Sequence, residues 1–284
     1  MSEIRLATRR SALALAQARR IGEKIEVEVG TPVRLVEVET TGDADKNSPI
    51  THLTEVGAFV SAVRTAVIEG RADVAVHSLK DLPVEGPDDF VLGFPEREKP
   101  NDVLVGLPID ELGPGTTVGT GSPRRSAQLL QMRPDLEVVA IRGNVDTRLE
   151  KVAAGDPMAA VLAEAGLVRM GRTDAIAQRF TVDQMVPAPG QGALAVEARA
   201  GTAGAELLGL LDDPHLRTAL EAERLLLAQT GAGCRSALGA LATWERDMLR
   251  LDCFVADERG SRRCVTWGDS AEFVVKAARE ELAL

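Results

Sequence analysis

Ala72-Asp73-Val74-Ala75-Val76, followed by His77-Ser78-Leu79-Lys80-Asp81-Leu82-Pro83, is the stretch on which the fold turns. The first five residues form a compact apolar run that reads as a buried strand, and the polar run after it reads as the loop at its end. Upstream, Ile4–Ala7 reads as a strand. Ala12–Glu23 has helical spacing, with Leu13, Ala16, Gln17 and Arg20 on one side. Val33–Glu39 alternates as a strand does, and Phe59–Gly70 reads as a helix closed by a C-cap-like glycine. The order strand, helix, strand, helix, strand points to a parallel sheet. Thr40–Thr54 is rich in Asp, Asn, Ser and Thr, and it reads either as a solvated surface loop or as a lid over a site.

A second α/β unit begins near Asp102. Its strands are expected at Val103–Val105, Thr117–Gly119, Val138–Ile141 and Ala159–Leu162, and its helical pieces at Arg125–Met132, Val145–Ala153 and Ala177–Arg179. Pro187-Ala188-Pro189-Gly190-Gln191-Gly192 signals a turn. Ala193–Glu197 after it reads as one more strand, able to return to the first sheet. From Asp213 the character changes to a small α+β region. It has a helix over Leu216–Gln229, a break at Gly231-Ala232-Gly233-Cys234, strands at Leu249–Val255 and Arg263–Trp267 around a turn, and a closing helix over Ser270–Leu284.

The chain has 284 residues, enough for two or three domains, and 45% of them are hydrophobic, enough for real cores. A net charge of −10 argues against a general nucleic-acid binder, and 3% aromatic residues with no tyrosine argue against a base-stacking platform. The N-terminus carries no apolar signal segment, and no apolar run is long enough to span a bilayer. Three widely spread cysteines make neither a disulfide framework nor a metal-ligand pattern. The reading is a cytoplasmic protein without a metal.

Against this acidic background, arginines recur in Gly/Ser/Thr-rich loops after strand-like runs. Thr8-Arg9-Arg10-Ser11 follows Ile4–Ala7. Thr120-Gly121-Ser122-Pro123-Arg124-Arg125 follows Thr117–Gly119, and Arg142-Gly143-Asn144-Val145-Asp146-Thr147-Arg148 follows Val138–Ile141. Open α/β sheets bind ligands beyond the carboxyl ends of their strands, helix starts favour anions, and the guanidinium fork grips carboxylates two bonds at a time. The layout predicts a cleft for a molecule with several carboxylates or phosphates. Arg10 reads as pointing to solvent. Cys253 and Cys264, in strands, read as inert core residues. Cys234, in a Gly-rich break beside Arg235, is open to two readings, an inert small hydrophobe or a reactive or attachment residue. Asp81 is an exposed loop aspartate or an acid/base carboxylate at a strand end, and His77 a loop histidine that orients its neighbours.

Taken together, the motifs resemble those of the hydroxymethylbilane synthase (porphobilinogen deaminase) family. The similar segments are Leu6–Ala14, Asp73–Pro83, Gly119–Arg125, Ile141–Leu149 and Pro189–Leu194, and Gly233-Cys234 falls where that family attaches its cofactor. The resemblance runs in order along nearly the whole chain. It implies an α/β fold of two periplasmic-binding-protein-like lobes, with the chain crossing twice, plus a small C-terminal α+β domain. The lobes would be 1–96 with 193–211, and 97–192; the third domain would be 212–284. It implies a monomeric cytoplasmic transferase of haem biosynthesis. Four porphobilinogen molecules would be joined head to tail with loss of ammonia, on a dipyrromethane cofactor held by a thioether to Cys234.

By the same resemblance Asp81 would be catalytic, assisting ammonia departure and stabilising the cationic azafulvene that it leaves. Arg9, Ser11, Ser78, Lys80, Thr120, Ser122, Arg124, Arg125, Arg142, Arg148, Arg169 and Gln191 would bind cofactor or substrate, in a site between the lobes. Phe59 and His52 would belong to a lid. The sequence departs from the family pattern at Thr41, His52, Val56 and Gly121 and in Cys234–Gly239, which bears on the lid contacts and on the surroundings of the cysteine. The competing reading is a non-catalytic oxyanion- or tetrapyrrole-binding protein of the same fold.

Overall fold

The computed structural model describes residues 3–39, 58–230 and 237–284, with backbone only at 58 and 59. Thr41, His52, Val56 and Cys234 therefore lie outside the described residues, as does the side chain of Phe59. The chain divides into two compact units, Met1–Arg97 with Ala193–Arg217, and Glu98–Gly192 with Thr218–Leu284.

In the first unit β1 (Ile4–Arg9), β2 (Val33–Val38) and β3 (Val74–Ser78) run parallel. β10 (Ala193–Arg199) returns to this sheet antiparallel, between β3 and β4 (Phe90–Arg97), so the sheet is mixed and not all-parallel. Both faces are covered. Ile4 and Leu6 pack on Ala18, Ile21 and Ile25 of α1 (Ala12–Val29), while Ala7 and Ala75 pack on Val63, Ala66 and Val67 of α2 (Ala58–Ile68). Two-sided burial explains why the inner strands β3 and β10 are nearly continuous apolar runs, whereas β2, at the edge of the sheet, alternates. β4 is missing from the sequence reading because Gly93 and Pro95 punctuate it. It is the edge strand of the sheet, and Pro95 falls where its register with β10 shifts, an irregularity that tolerates a proline.

The second unit repeats the plan with strand order β7-β6-β8-β5-β9. β6 (Thr117–Gly119) lies parallel to β7 (Glu137–Val139) and β8 (Ala159–Ala163), and β5 (Asp102–Val105) runs antiparallel to β8. Helices α3 (Pro123–Met132), α4 (Val145–Ala153) and α5 (Glu164–Arg169) follow β6, β7 and β8. Ala177–Arg179, expected to be helical, lies instead in strand β9 (Ile176–Arg179), paired with β5. Four residues cannot complete a helix nucleus, and the open edge of β5 offers a ladder.

After α6 (Ala203–Leu211), α7 (Pro214–Gln229) leads into a three-stranded antiparallel sheet of β11 (Ala237–Glu245), β12 (Met248–Asp257) and β13 (Gly260–Gly268), followed by α8 (Ala271–Leu282). The Ala/Leu-rich β11 carries no period-2 signature of its own, and pairing with β12 makes it a strand. Leu226, Leu249, Leu251, Val274 and Ala278 form the core here. Thr218–Leu284 shares its compact unit with Glu98–Gly192. Ala240 N–H donates to the Pro187 carbonyl at 2.9 Å, and the Arg263 guanidinium donates to the Asp183 carbonyl at 2.6 Å.

Candidate active site

In the first unit the register Leu6↔Val74 and Ala7↔Ala75 sets the carboxyl ends of β1 and β3 side by side. Arg9 and Ser11 therefore share one sheet edge with Ser78, Lys80 and Asp81. Ser11 caps α1, accepting from Ala14 N–H at 3.3 Å. The Ser78 hydroxyl accepts from Gln17 Nε2 at 2.9 Å and lies 3.2 Å from Gln17 Oε1, a partly buried pairing that ties the end of β3 to α1. Leu79 and Leu82 are buried and anchor the single turn Leu79–Asp81, which leaves the Asp81 side chain exposed and Lys80 half-buried. Arg10 is exposed and ion-pairs with Glu37 and Glu39 on the neighbouring strand side.

His77 is a buried strand residue and not a loop one. Its Nε2 lies 3.0 Å from Glu197 Oε2 on β10, and Arg64 grips the same carboxylate at 2.5 and 2.9 Å. Burial pushes the Glu197 carboxyl up, but His77 and Arg64 outweigh it and hold it at about 2.

In the second unit the loops after β6, β7 and β8 lie at the carboxyl ends of three parallel strands. Ser122 caps α3 from Arg125 N–H at 3.5 Å, Thr120 Oγ1 accepts from Ser122 N–H at 3.1 Å, and Asn144 caps α4 from Thr147 N–H at 2.9 Å. The loop hydroxyls thus shape helix starts whose remaining N–H groups favour an anion.

The two arginines of the first of these loops turn inward. Arg124 and Arg125 are 2% and 7% exposed. Arg124 donates to Asp102 Oδ2 at 2.6 Å and to the Val186 carbonyl at 2.7 Å; Arg125 donates to Asp102 Oδ1 at 2.8 Å and to the Val161 carbonyl at 2.9 Å. Gln191 Nε2 completes the cluster, donating to Asp102 Oδ1 at 3.0 Å and to the Pro100 carbonyl at 2.6 Å. Burial pushes the Asp102 carboxyl up, but the two guanidiniums prevail and hold it at about 2. Two cations on one anion leave a single residual positive charge beneath the loop.

Arg142 behaves differently. It is exposed, and among the described residues its guanidinium meets no carboxylate. Arg148 is half-buried and donates to the Gly143 carbonyl at 2.9 Å; Arg169 donates to the Gly192 carbonyl at 2.6 Å. Asp102 escaped the sequence reading as a functional position, since one aspartate before an apolar strand carries no pattern. Gln17 was visible only as a helix-face residue, and nothing local marks it as the partner of Ser78. Cys253 and Cys264 are buried opposite each other in the β12–β13 register, and Cys264 together with burial pushes the Cys253 thiol well up. Among the described residues no group of three or more His, Cys, Asp or Glu could hold a metal, and no helix is long and apolar enough to cross a membrane.

Residues 4–206 match the family model described as porphobilinogen deaminase, dipyromethane cofactor binding domain. Porphobilinogen deaminase of Acidothermus cellulolyticus is 46% identical over 278 residues, covering 94% of this chain and 84% of that protein. The Thermobifida fusca protein of the same name is 48% identical over 265 residues, covering 91% and 82%. That of Pelotomaculum thermopropionicum is 41% identical over 293 residues, covering 99% and 94%. Among solved structures, the substrate binding domain 2 of Lactococcus lactis GlnP in its open conformation is similar at 14% identity and a TM-score of 0.45, covering 81% of this chain and 91% of that one.

Proposed function

This chain belongs to the porphobilinogen deaminase family, and from that premise we propose how its residues divide the work. The activity that membership carries is a transferase reaction of tetrapyrrole biosynthesis, in which four porphobilinogen molecules condense head to tail, with loss of ammonia, to hydroxymethylbilane. Asp81 is the catalytic carboxylate. Arg9, Ser11, Ser78 and Lys80 from the first unit, and Thr120, Ser122, Arg142, Arg148 and Arg169 from the second, meet the acetate and propionate groups of the pyrroles. Arg124, Arg125 and Gln191 contribute through the Asp102 cluster and its residual positive charge. Cys234 anchors a dipyrromethane by a thioether, and the protein works as a cytoplasmic monomer. The lid role of Phe59 and His52 belongs to the same reading.

The donor set suits such a cofactor. Exposed Arg142, the N–H groups at the capped starts of α3 and α4, and the net positive Asp102 cluster are the chemistry that a polycarboxylate needs. When bound, the dipyrromethane supplies the free pyrrole α-carbon on which the chain grows and from which the product is cut. No protein nucleophile is then needed at each addition, and the chain's own part is binding and charge stabilisation. Asp81 does the second. Held exposed on a turn anchored by two buried leucines, the Asp81 side chain can act in its protonated form as the acid that hands a proton to the departing amine, and the carboxylate left behind can then stabilise the cation on the substrate.

The observation that carries the reading is the pairing of β1 with β3, which brings the Arg9 loop beside the Asp81 turn. The test is an intact-mass measurement together with a turnover assay. An increment of two porphobilinogen units less two ammonia is expected, lost in Cys234→Ser. Asp81→Asn should keep the increment and lose turnover by about a hundredfold or more. An active protein without the increment, or near-normal rates in Asp81→Asn, would refute these assignments. A loaded protein with no turnover would favour the tetrapyrrole-binding reading instead.

A further inference from the structure

Glu223 lies on α7 among Ala219, Ala222 and Leu226, the face buried in the C-terminal core, and it is 0% exposed. Burying a carboxylate there is unfavourable unless hydrogen bonds offset its lost hydration. Its two oxygens are used separately. Oε2 accepts the Gly190 N–H at 2.7 Å, and Oε1 accepts the Ala242 N–H at 2.8 Å. The first donor belongs to the Pro187–Gly192 turn and the second to β11. One side chain therefore joins a helix, a strand and a turn that are far apart in sequence.

Each of the three matters to the site. α7 ends at Gln229 and β11 begins at Ala237, so Cys234 falls in the chain between the two elements that Glu223 holds. The turn is set rigidly. Gly190 has φ 72° and Gly192 φ 86°, and a Cβ on Gly192 would sit 2.3 Å from the Glu98 carbonyl oxygen. Next to Gly190, Gln191 reaches Asp102, and Asp102 holds Arg124 and Arg125. A continuous line of hydrogen bonds and backbone runs from both flanks of the attachment cysteine to the arginine-bearing start of α3.

We propose that Glu223 is a positioning residue for chain growth, registering the two elements that flank Cys234 against the turn whose Gln191 reaches the Asp102–Arg124–Arg125 cluster. This rests on the reading that Cys234 carries the dipyrromethane. Glu223 does not bind substrate; it fixes where the anchored chain starts relative to the residues that hold its carboxylates. Misplacement then slows turnover more than it weakens substrate binding.

Glu223→Gln keeps the size but sets an NH2 group against one of the two backbone donors. The expected result is a folded protein that keeps the mass increment, with KM within about twofold and kcat lower by about tenfold or more. Gln191→Ala breaks the same line at its other end and should show the same split; it also serves if Glu223→Gln does not fold. In the double variant the kcat losses should not multiply, because the second break falls on a line already cut. Wild-type kcat in either folded single variant, or multiplied losses in the double, would overturn the proposal. An active wild type without the mass increment would remove it together with the attachment reading. A loaded wild type with unchanged kcat in Glu223→Gln would remove the Glu223 role alone.

Discussion

The loops after β6 and β7 follow neighbouring parallel strands of one sheet, and both carry arginines beside a helix cap. They nevertheless do different things. After β6, Arg124 and Arg125 are folded under the loop onto Asp102, and each also donates to a backbone carbonyl, Arg124 to Val186 and Arg125 to Val161. After β7, Arg142 stands exposed at the strand end. The lesson is that an arginine's place in a motif does not say whether it meets ligand or protein. What decides is whether a buried acid lies within reach. β5 runs antiparallel to β8, which sets Asp102 opposite Ala163 at the same edge where β8 ends. No such acid faces Arg142 among the described residues.

The largest expected effect breaks the first loop. Asp102→Ala would leave two buried guanidiniums without their anion, so urea unfolding should show a loss of about 3–5 kcal/mol. A loss below about 1 kcal/mol would mean that Arg124 and Arg125 escape to solvent and that the two loops are alike after all. Next comes the second loop. Arg142→Ala should leave unfolding within about 0.5 kcal/mol, as surface changes do. Its kcat/KM should fall by about ten- to a hundredfold, the worth of a charged hydrogen bond to a carboxylate. Unchanged kinetics would remove Arg142 from the binding set.

The smallest effect concerns acid. Asp102 sits at about 2 when folded, against about 4 in an unfolded chain. A lowered carboxyl contributes stability that is complete above pH 4 and is lost as the pH falls toward 2, here about 2 kcal/mol. Glu197 adds a similar share in the first unit. Acid unfolding curves should therefore flatten in Asp102→Ala and keep their wild-type shape in Arg142→Ala. Equal slopes in the two variants would place the pH dependence elsewhere.

Much of the fold was legible because burial in a sheet writes itself as short apolar runs, and Pro/Gly clusters such as Pro187–Gly192 write themselves as turns. Val145–Ala153 is a helix with the predicted bounds. What misled was local punctuation. Pro95 hid an edge strand, Ala and Leu disguised β11, and Ile176–Arg179 was too short to declare its kind.

By itself, then, the sequence determined the α/β class, the family through its ordered motifs, and the arginine-bearing loops at strand ends. All of these depend on residue types at fixed spacing. Only the tertiary structure decided which of those arginines face inward, that Ser78 is paired with Gln17, and that Glu223 binds a turn and a strand. Each of these is a partnership between residues distant in the chain. Its energy comes from burial and from a second group supplied by another element, and neither leaves a trace in local sequence.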